Sequence, residues 1–138
     1  MTNAELILEA KKARERSYAP YSKYMVGAAL LTKSGKVYHG CNIENAAYGP
    51  TNCAERTAFF KAIYDGERAF EKIAIVGATE GKEANDTCAP CGVCRQVMME
   101  FCDPESFQIV LADGEEKQLV FTLKELLPYG FGPANLTE

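Results

Sequence analysis

The chain has 138 residues, of which 47% are hydrophobic and 25% charged, and its formal net charge is −4. This length suits one globular domain over residues 1–138, and a chain of this size buries about 68–70% of its unfolded surface. The acidic balance lacks the basic surface that a polynucleotide partner needs, and no apolar run could span a bilayer. Without the apolar core of a signal peptide, the six cysteines indicate free thiols or metal ligands in the reducing cytoplasm.

The first half of the chain predicts a helix, a hairpin and a second helix. Thr2 followed by Glu5 is a capping-box pattern ahead of apolar residues at helical spacing. Two β-prone runs flank Ser34-Gly35, which is typical of a tight hairpin turn. Helical spacing of apolar residues returns at Ala54 and stops near Gly66. The predicted bounds are a helix over about residues 3–17, strands over 25–32 and 36–41, and a helix over about 54–66.

The second half predicts a buried strand, a third helix, a second hairpin and a short helix. The strand is a short, fully apolar run, as expected for a strand covered on both faces. Pro90 stands where a helix can begin, and Asp113-Gly114 separates two further β-prone runs. Thr122 and Glu125 repeat the capping-box pattern. The predicted bounds are a strand over 73–78, a helix over about 91–102, strands over 107–112 and 118–121, and a short helix ending before Pro128.

The order of these elements indicates the fold class. Helices interspersed with five strands over this length imply a mixed five-stranded sheet between two layers of helices. We therefore expect an α/β protein built as a three-layer α/β/α sandwich. Both cysteine-containing motifs fall at predicted helix starts.

Three cysteines at two helix starts have the pattern of a zinc site. Cys91 and Cys94 are three residues apart and share one face of a helical turn, and Cys53 precedes the second helix. Helix N-termini favour the thiolate form that binds metal. Three protein ligands leave a fourth position for water, which distinguishes a catalytic zinc from a structural one. The sequence therefore predicts Zn²⁺ as a cofactor.

Two neighbours of Cys53 are candidates for functional side chains. Glu55 is placed to move a proton of that water, provided its side chain converges on the metal. Three thiolates and one zinc sum to −1, so we expect Arg56 to hydrogen-bond the sulfurs and draw off charge. An alternative involves Cys88, because a fourth thiolate would close the site and make the zinc structural.

With these motifs placed, the chain resembles the small, homotetrameric cytidine deaminases over nearly all of its length. Cys-x-Glu with Pro-Cys-x-x-Cys is a signature of zinc deaminases. The matching blocks are residues 18–24 (YAPYSKY), 26–30 (VGAAL), 40–48 (GCNIENAAY), 53–58 (CAERTA), 90–96 (PCGVCRQ) and 125–128 (ELLP). The resemblance implies hydrolytic deamination of cytidine and 2′-deoxycytidine to uridine and 2′-deoxyuridine in pyrimidine salvage. It also implies that Cys53, Cys91 and Cys94 bind the zinc and that Glu55 transfers the protons.

The resemblance further implies a set of polar substrate contacts. Asn42 and Glu44 would hydrogen-bond the ribose 3′-hydroxyl, which fits two polar residues on one side of an extended segment. The backbone of Ala54 would meet the pyrimidine carbonyl. The chain departs from the family at Ala89, where many relatives carry serine, and in a longer, more polar segment over residues 79–89.

Three aromatic residues are implied in the nucleoside site. Tyr24 would pack on the nucleoside, and Tyr48 would belong to a wall shared between subunits. Phe131 would be inserted over the base in a neighbouring subunit of a homotetramer. Packing in the protein core is the alternative for each of these rings.

Two other functions stay open on the sequence alone. One is deamination of a cytosine nucleoside analogue, as in the blasticidin S deaminases. The other is a non-catalytic zinc domain that binds a protein or RNA, for which a closed four-cysteine site is expected. A small-molecule nucleoside fits the acidic charge better than a polynucleotide or a membrane partner.

Overall fold

The structure is a computed structural model that describes residues 1–136. It contains four α-helices and five strands in the predicted order, followed by a 3₁₀ turn. They are α1 (Asn3–Arg14), β1 (Tyr24–Thr32), β2 (Val37–Cys41), α2 (Ala54–Tyr64), β3 (Phe70–Thr79), α3 (Gly92–Phe101), β4 (Gln108–Ala112), β5 (Gln118–Thr122), α4 (Leu123–Leu126) and the 3₁₀ turn Pro133–Asn135. Each predicted helix and strand is confirmed in type.

The five strands form one sheet in the order β2-β1-β3-β4-β5. The β3–β4 pair is parallel, and the other three pairs are antiparallel. The sheet is therefore mixed, as expected. Helix α1 packs on one face, while α2 and α3 pack on the other, which makes the three-layer α/β/α sandwich.

Alternation along the central strands fills both faces of the sheet. On β3, Ile73 and Ile75 face the α2–α3 layer, whereas Ala74 and Val76 face α1. Successive side chains of a strand point to opposite faces, so a strand covered on both sides is apolar throughout. The predicted apolar strand is confirmed, and it extends further at both ends, over Phe70–Thr79.

Helix α1 begins as predicted and ends earlier than predicted. Its capping box is formed, with the Glu5 amide donating to Thr2 Oγ1 at 3.1 Å and the Thr2 amide donating to Glu5 Oε1 at 3.0 Å. The helix ends at Arg14, not near residue 17. After Arg14 the chain forms a tighter turn, in which the Ser17 amide donates to the Arg14 carbonyl. The helix does not continue because the next amide, that of Tyr18, donates to the Asn42 carbonyl beside the sheet.

Over residues 1–136, no helix combines the length and the apolar character that crossing a bilayer requires.

Gly40 brings α2 into backbone contact with the sheet, and an alanine there is expected to destabilise the fold. A Cβ atom at Gly40 would lie 2.2 Å from the Ala54 carbonyl oxygen and 2.6 Å from the Ala58 amide nitrogen. Rotation cannot move backbone atoms aside, so α2 would have to shift. We expect Gly40→Ala to lower the free energy of unfolding by about 1–3 kcal/mol, measured by urea denaturation.

Gly49→Ala is the matched control for this substitution. A Cβ at Gly49 would meet only the Ala47 carbonyl oxygen, at 4.0 Å. Its expected effect is within about 0.5 kcal/mol. Equal stabilities of the two variants would contradict the close approach of α2 to Gly40.

Candidate active site

Two helix starts bring three thiols together. Cys53 is the N-cap of α2 and Cys91 the N-cap of α3, and Cys94 lies in the first turn of α3. Their sulfur atoms all lie within 4.8 Å of one another, with 3.8 Å between Cys53 and Cys91 and 3.4 Å between Cys91 and Cys94. Tetrahedral sulfur ligands about 2.3 Å from a zinc ion stand about 3.8 Å apart. The three cysteines therefore fit a zinc site.

The ionisation of the three thiols and of the neighbouring Arg56 also favours a zinc ion. Arg56 Nη2 donates to Cys53 Sγ at 3.3 Å, and Arg56 Nε is buried without a hydrogen-bond partner among the described residues. Hydrogen bonding to Cys94 and to Arg56 lowers the pKa of Cys53. The hydrogen bond between Cys53 and Cys94, together with burial, raises the pKa of Cys94. Three thiols this close ionise together only when a cation neutralises them, which is what zinc supplies.

Glu55 is a buried carboxyl group beside the thiols. It is the second residue of α2, only 5% of its surface is exposed, and it lines the same cavity as Cys53 and Cys91. Burial raises the pKa of Glu55 to about 7. A group with a pKa near the working pH can both accept and donate a proton, which general acid–base catalysis requires.

Cys53, Cys91 and Glu55 open into a cavity of about 190 Å³. Next to it lies a larger cavity of about 350 Å³, and Thr51 belongs to both. Glu55 and two of the three clustered thiols line the smaller one. It is lined by Val26, Asn42, Thr51, Asn52, Cys53, Ala54, Glu55, Cys88, Ala89 and Cys91, and the larger one by Tyr21, Ser22, Glu44, Tyr48 and Thr51.

Asn42 and Ala54 lie on the wall of the smaller cavity. The side chain of Asn42 accepts from the Val26 amide at 2.9 Å and donates to the Tyr24 carbonyl at 2.8 Å. These two bonds fix its orientation and leave one acceptor position and one N–H free. Ala54 is fully buried at the first position of α2, where a backbone N–H has no partner within the helix.

Glu44 lies in the larger cavity, where it also organises the neighbouring loop. Its carboxylate accepts from the amides of Tyr21 and Ser22 at 3.0 and 3.1 Å, and from the Ser22 hydroxyl. These hydrogen bonds lower the pKa of Glu44, so its side chain is an anion at neutral pH. Two of the predicted polar residues thus sit in adjoining cavities.

The three predicted aromatic residues have different positions. Tyr48 lines the larger cavity and packs edge-on against Tyr21, with ring centroids 6.5 Å apart. Tyr24 lines neither cavity, its hydroxyl donates to Asp86 at 3.2 Å, and its contact with a nucleoside stays a prediction. Phe131 is 57% exposed and lies on neither cavity wall, so packing in the core does not account for it.

Cys88 is a cavity-wall residue outside the thiol cluster. The cluster within residues 1–136 holds Cys53, Cys91 and Cys94 only. Burial raises the pKa of Cys88 to about 11, so its thiol is neutral at physiological pH. A closed four-thiolate site is therefore not formed by the described residues.

Sequence reasoning missed several residues that line the smaller cavity. Val26 comes from the start of β1, and Thr51 and Asn52 precede Cys53. Their adjacency in sequence to Cys53 was a usable signal for the last two. Val26 carries no such signal, because only the packing of β1 beside α2 brings it to the wall.

Comparisons with known proteins show the family of the chain. The family described as the cytidine and deoxycytidylate deaminase zinc-binding region matches residues 1–110. The cytidine deaminase of Sporosarcina psychrophila is 52% identical over 96% of this chain and 93% of its own length. That of Halalkalibacterium halodurans is 46% identical over the whole of both chains. The crystal structure of cytidine deaminase from Burkholderia pseudomallei is 51% identical, covers 95% of this chain and all of its own, and superposes with a TM-score of 0.85.

Proposed function

The chain belongs to the family of cytidine and deoxycytidylate deaminases, and on that premise we propose that it converts cytidine to uridine by hydrolysis. One observation supports the proposal more strongly than the others. A buried carboxyl group with a pKa near 7 lies in one small cavity with Cys53 and Cys91, two of the three clustered thiols that fit a zinc ion. Zinc held by Cys53, Cys91 and Cys94 supplies a Lewis acid that makes water nucleophilic near neutral pH.

Glu55 carries the protons of the reaction. It accepts a proton from the attacking water and donates it to N3 of the pyrimidine while the water oxygen bonds to C4. It then accepts the remaining proton and passes it to the amino group, so that the C4–N4 bond breaks and ammonia leaves. Arg56 stabilises the thiolate form of Cys53 through its hydrogen bond.

The positions of Asn42, Glu44 and Ala54 on the cavity walls support the substrate contacts that we propose for them. Asn42, with one free acceptor and one free donor, and Glu44, as an anion, would bind the 3′-hydroxyl of the sugar. The backbone of Ala54 would meet the pyrimidine carbonyl. Because these contacts read the 3′ side of the sugar, we expect 2′-deoxycytidine to be accepted as well as cytidine.

Assembly and cellular context complete the proposal. Tyr48 and Phe131 are 74% and 57% exposed, as rings that contact another subunit have to be before assembly. We infer a homotetramer in which Phe131 completes a neighbouring active site, acting in cytoplasmic pyrimidine salvage. Light scattering of the purified protein tests the assembly, and a fully active monomer would contradict it.

An assay of the purified, zinc-loaded protein tests the reaction. Cytidine and 2′-deoxycytidine are supplied separately, and uridine, 2′-deoxyuridine and ammonia are quantified after chromatography. Stoichiometric product and ammonia are expected from both nucleosides. Absence of turnover on both, with turnover of blasticidin S, would replace the proposal with the analogue deaminase. Absence of all turnover with one bound zinc per chain would favour the non-catalytic domain.

A further inference from the structure

A side-chain hydrogen bond ties the C-terminal segment, residues 127–133, to the helix that carries two of the metal ligands. Gln96 follows Cys94 by two residues on α3 and donates through Nε2 to the Phe131 carbonyl at 2.7 Å. The bond is made to the backbone of Phe131, so it constrains where that residue sits and leaves its ring free. The metal-bearing helix thus contacts the segment directly at Phe131.

The residue before Gln96 makes a second link to the same segment. Arg95 donates through Nε to the Pro90 carbonyl at 2.8 Å and through Nη1 to the Leu126 carbonyl at 2.5 Å. Pro90 precedes the ligand Cys91, and Leu126 is the last residue of α4. One guanidinium therefore joins the loop that leads into the metal site to the point where the C-terminal segment begins.

Leu127 packs against the core at the start of the segment, and beyond it few apolar side chains are buried. Tyr129 is fully exposed and Phe131 is 57% exposed, so neither ring is buried in this chain. Gly132 packs closely on α3, where a Cβ atom would lie 3.0 Å from Met99 Cε. Few buried apolar contacts mean low local stability, so the part of the segment beyond Leu127 depends on the tethers from α3 for its position.

We propose that Gln96 and Arg95 are positioning residues that hold the C-terminal segment on α3 and so fix the place where Phe131 presents its ring. The inference rests on the proposed function in one respect, which is the contact of Phe131 with substrate in a neighbouring subunit. A ring that has to enter another subunit's cavity needs a backbone held in a fixed position, and the hydrogen bonds from α3 hold it there. Helix α3 then positions both the metal ligands Cys91 and Cys94 and the aromatic ring of Phe131.

The test compares Gln96→Glu with a matched control. Gln96→Glu keeps the side-chain size and removes the donor, and Gln118→Glu makes the same change at an exposed strand position with no side-chain hydrogen bond among the described residues. In the zinc-loaded protein, Gln96→Glu is expected to speed hydrogen exchange over residues 127–133 and to raise KM for cytidine roughly threefold to tenfold with kcat little changed. Gln118→Glu should change neither, and Gln96→Lys, which keeps a donor, should restore part of the protection.

Other results have distinct meanings. Unchanged exchange in Gln96→Glu would overturn the tether. Faster exchange with unchanged KM would overturn the positioning of Phe131, provided Phe131→Ala raises KM. If Phe131→Ala leaves KM unchanged, the proposed contact of Phe131 with substrate fails, and the exchange data alone still decide whether α3 holds the segment.

Discussion

Replacing Glu55 with glutamine is expected to abolish turnover while the fold and the zinc remain. Glutamine has the same size and fits the same 5%-exposed position at the start of α2, but it cannot accept and release a proton. One general acid–base step contributes about 10²–10⁴-fold. Because Glu55 serves each proton transfer of the proposed reaction, we expect kcat to fall by about 10⁴-fold, measured with cytidine at saturation.

Two further measurements make this result specific to proton transfer. Zinc content should stay near one ion per chain, since the three thiols are unchanged, and thermal unfolding should not occur at a lower temperature. Burial raises the pKa of Glu55, which means that its ionised form is poorly solvated, so a neutral amide is tolerated. Near-normal kcat in Glu55→Gln would refute the assignment of Glu55.

Replacing Cys94 with alanine is expected to remove the zinc and, with it, the activity. Cys94 is 1% exposed and its sulfur lies 3.4 Å from that of Cys91, so alanine removes one of the three clustered sulfurs. Two thiolates bind zinc far more weakly than three, because each ligand contributes to the affinity. We expect metal content below one ion in ten chains after dialysis, measured by atomic absorption, and no detectable turnover.

The same variant should also lose the stability that metal binding provides. A ligand present at 1,000 times its Kd stabilises the native state by about 4.1 kcal/mol. Addition of zinc should therefore raise the unfolding temperature of the original protein and leave that of Cys94→Ala unchanged.

Cys88→Ala is the control that distinguishes a three-cysteine zinc site from a closed four-cysteine site. Its thiol is neutral and lies outside the cluster, so the variant should keep one zinc per chain. Loss of zinc from Cys88→Ala would contradict the three-cysteine site and restore the closed four-cysteine one.

Local sequence patterns were sufficient for the fold. The capping boxes at Thr2 and Thr122 and the apolar run of β3 each follow from residues within one turn or one strand. The predicted end of α1 was wrong by about three residues, because the true end depends on the pairing of Tyr18 with Asn42, which is distant in sequence. Local preferences carry no information about such a partner.

The sequence by itself identified the three cysteines that cluster into a fitting zinc site, because zinc needs thiolates at close spacing and two helix starts supply them within short motifs. It also determined the mixed five-stranded sheet between helices, since alternation and helical spacing are local properties. Only the tertiary structure decided that Cys88 lies outside the cluster, that Glu55 is buried beside the thiols, and that α3 holds the C-terminal segment. Each of these depends on contacts between segments far apart in the chain, and those contacts exist only once the sheet and its helices have packed.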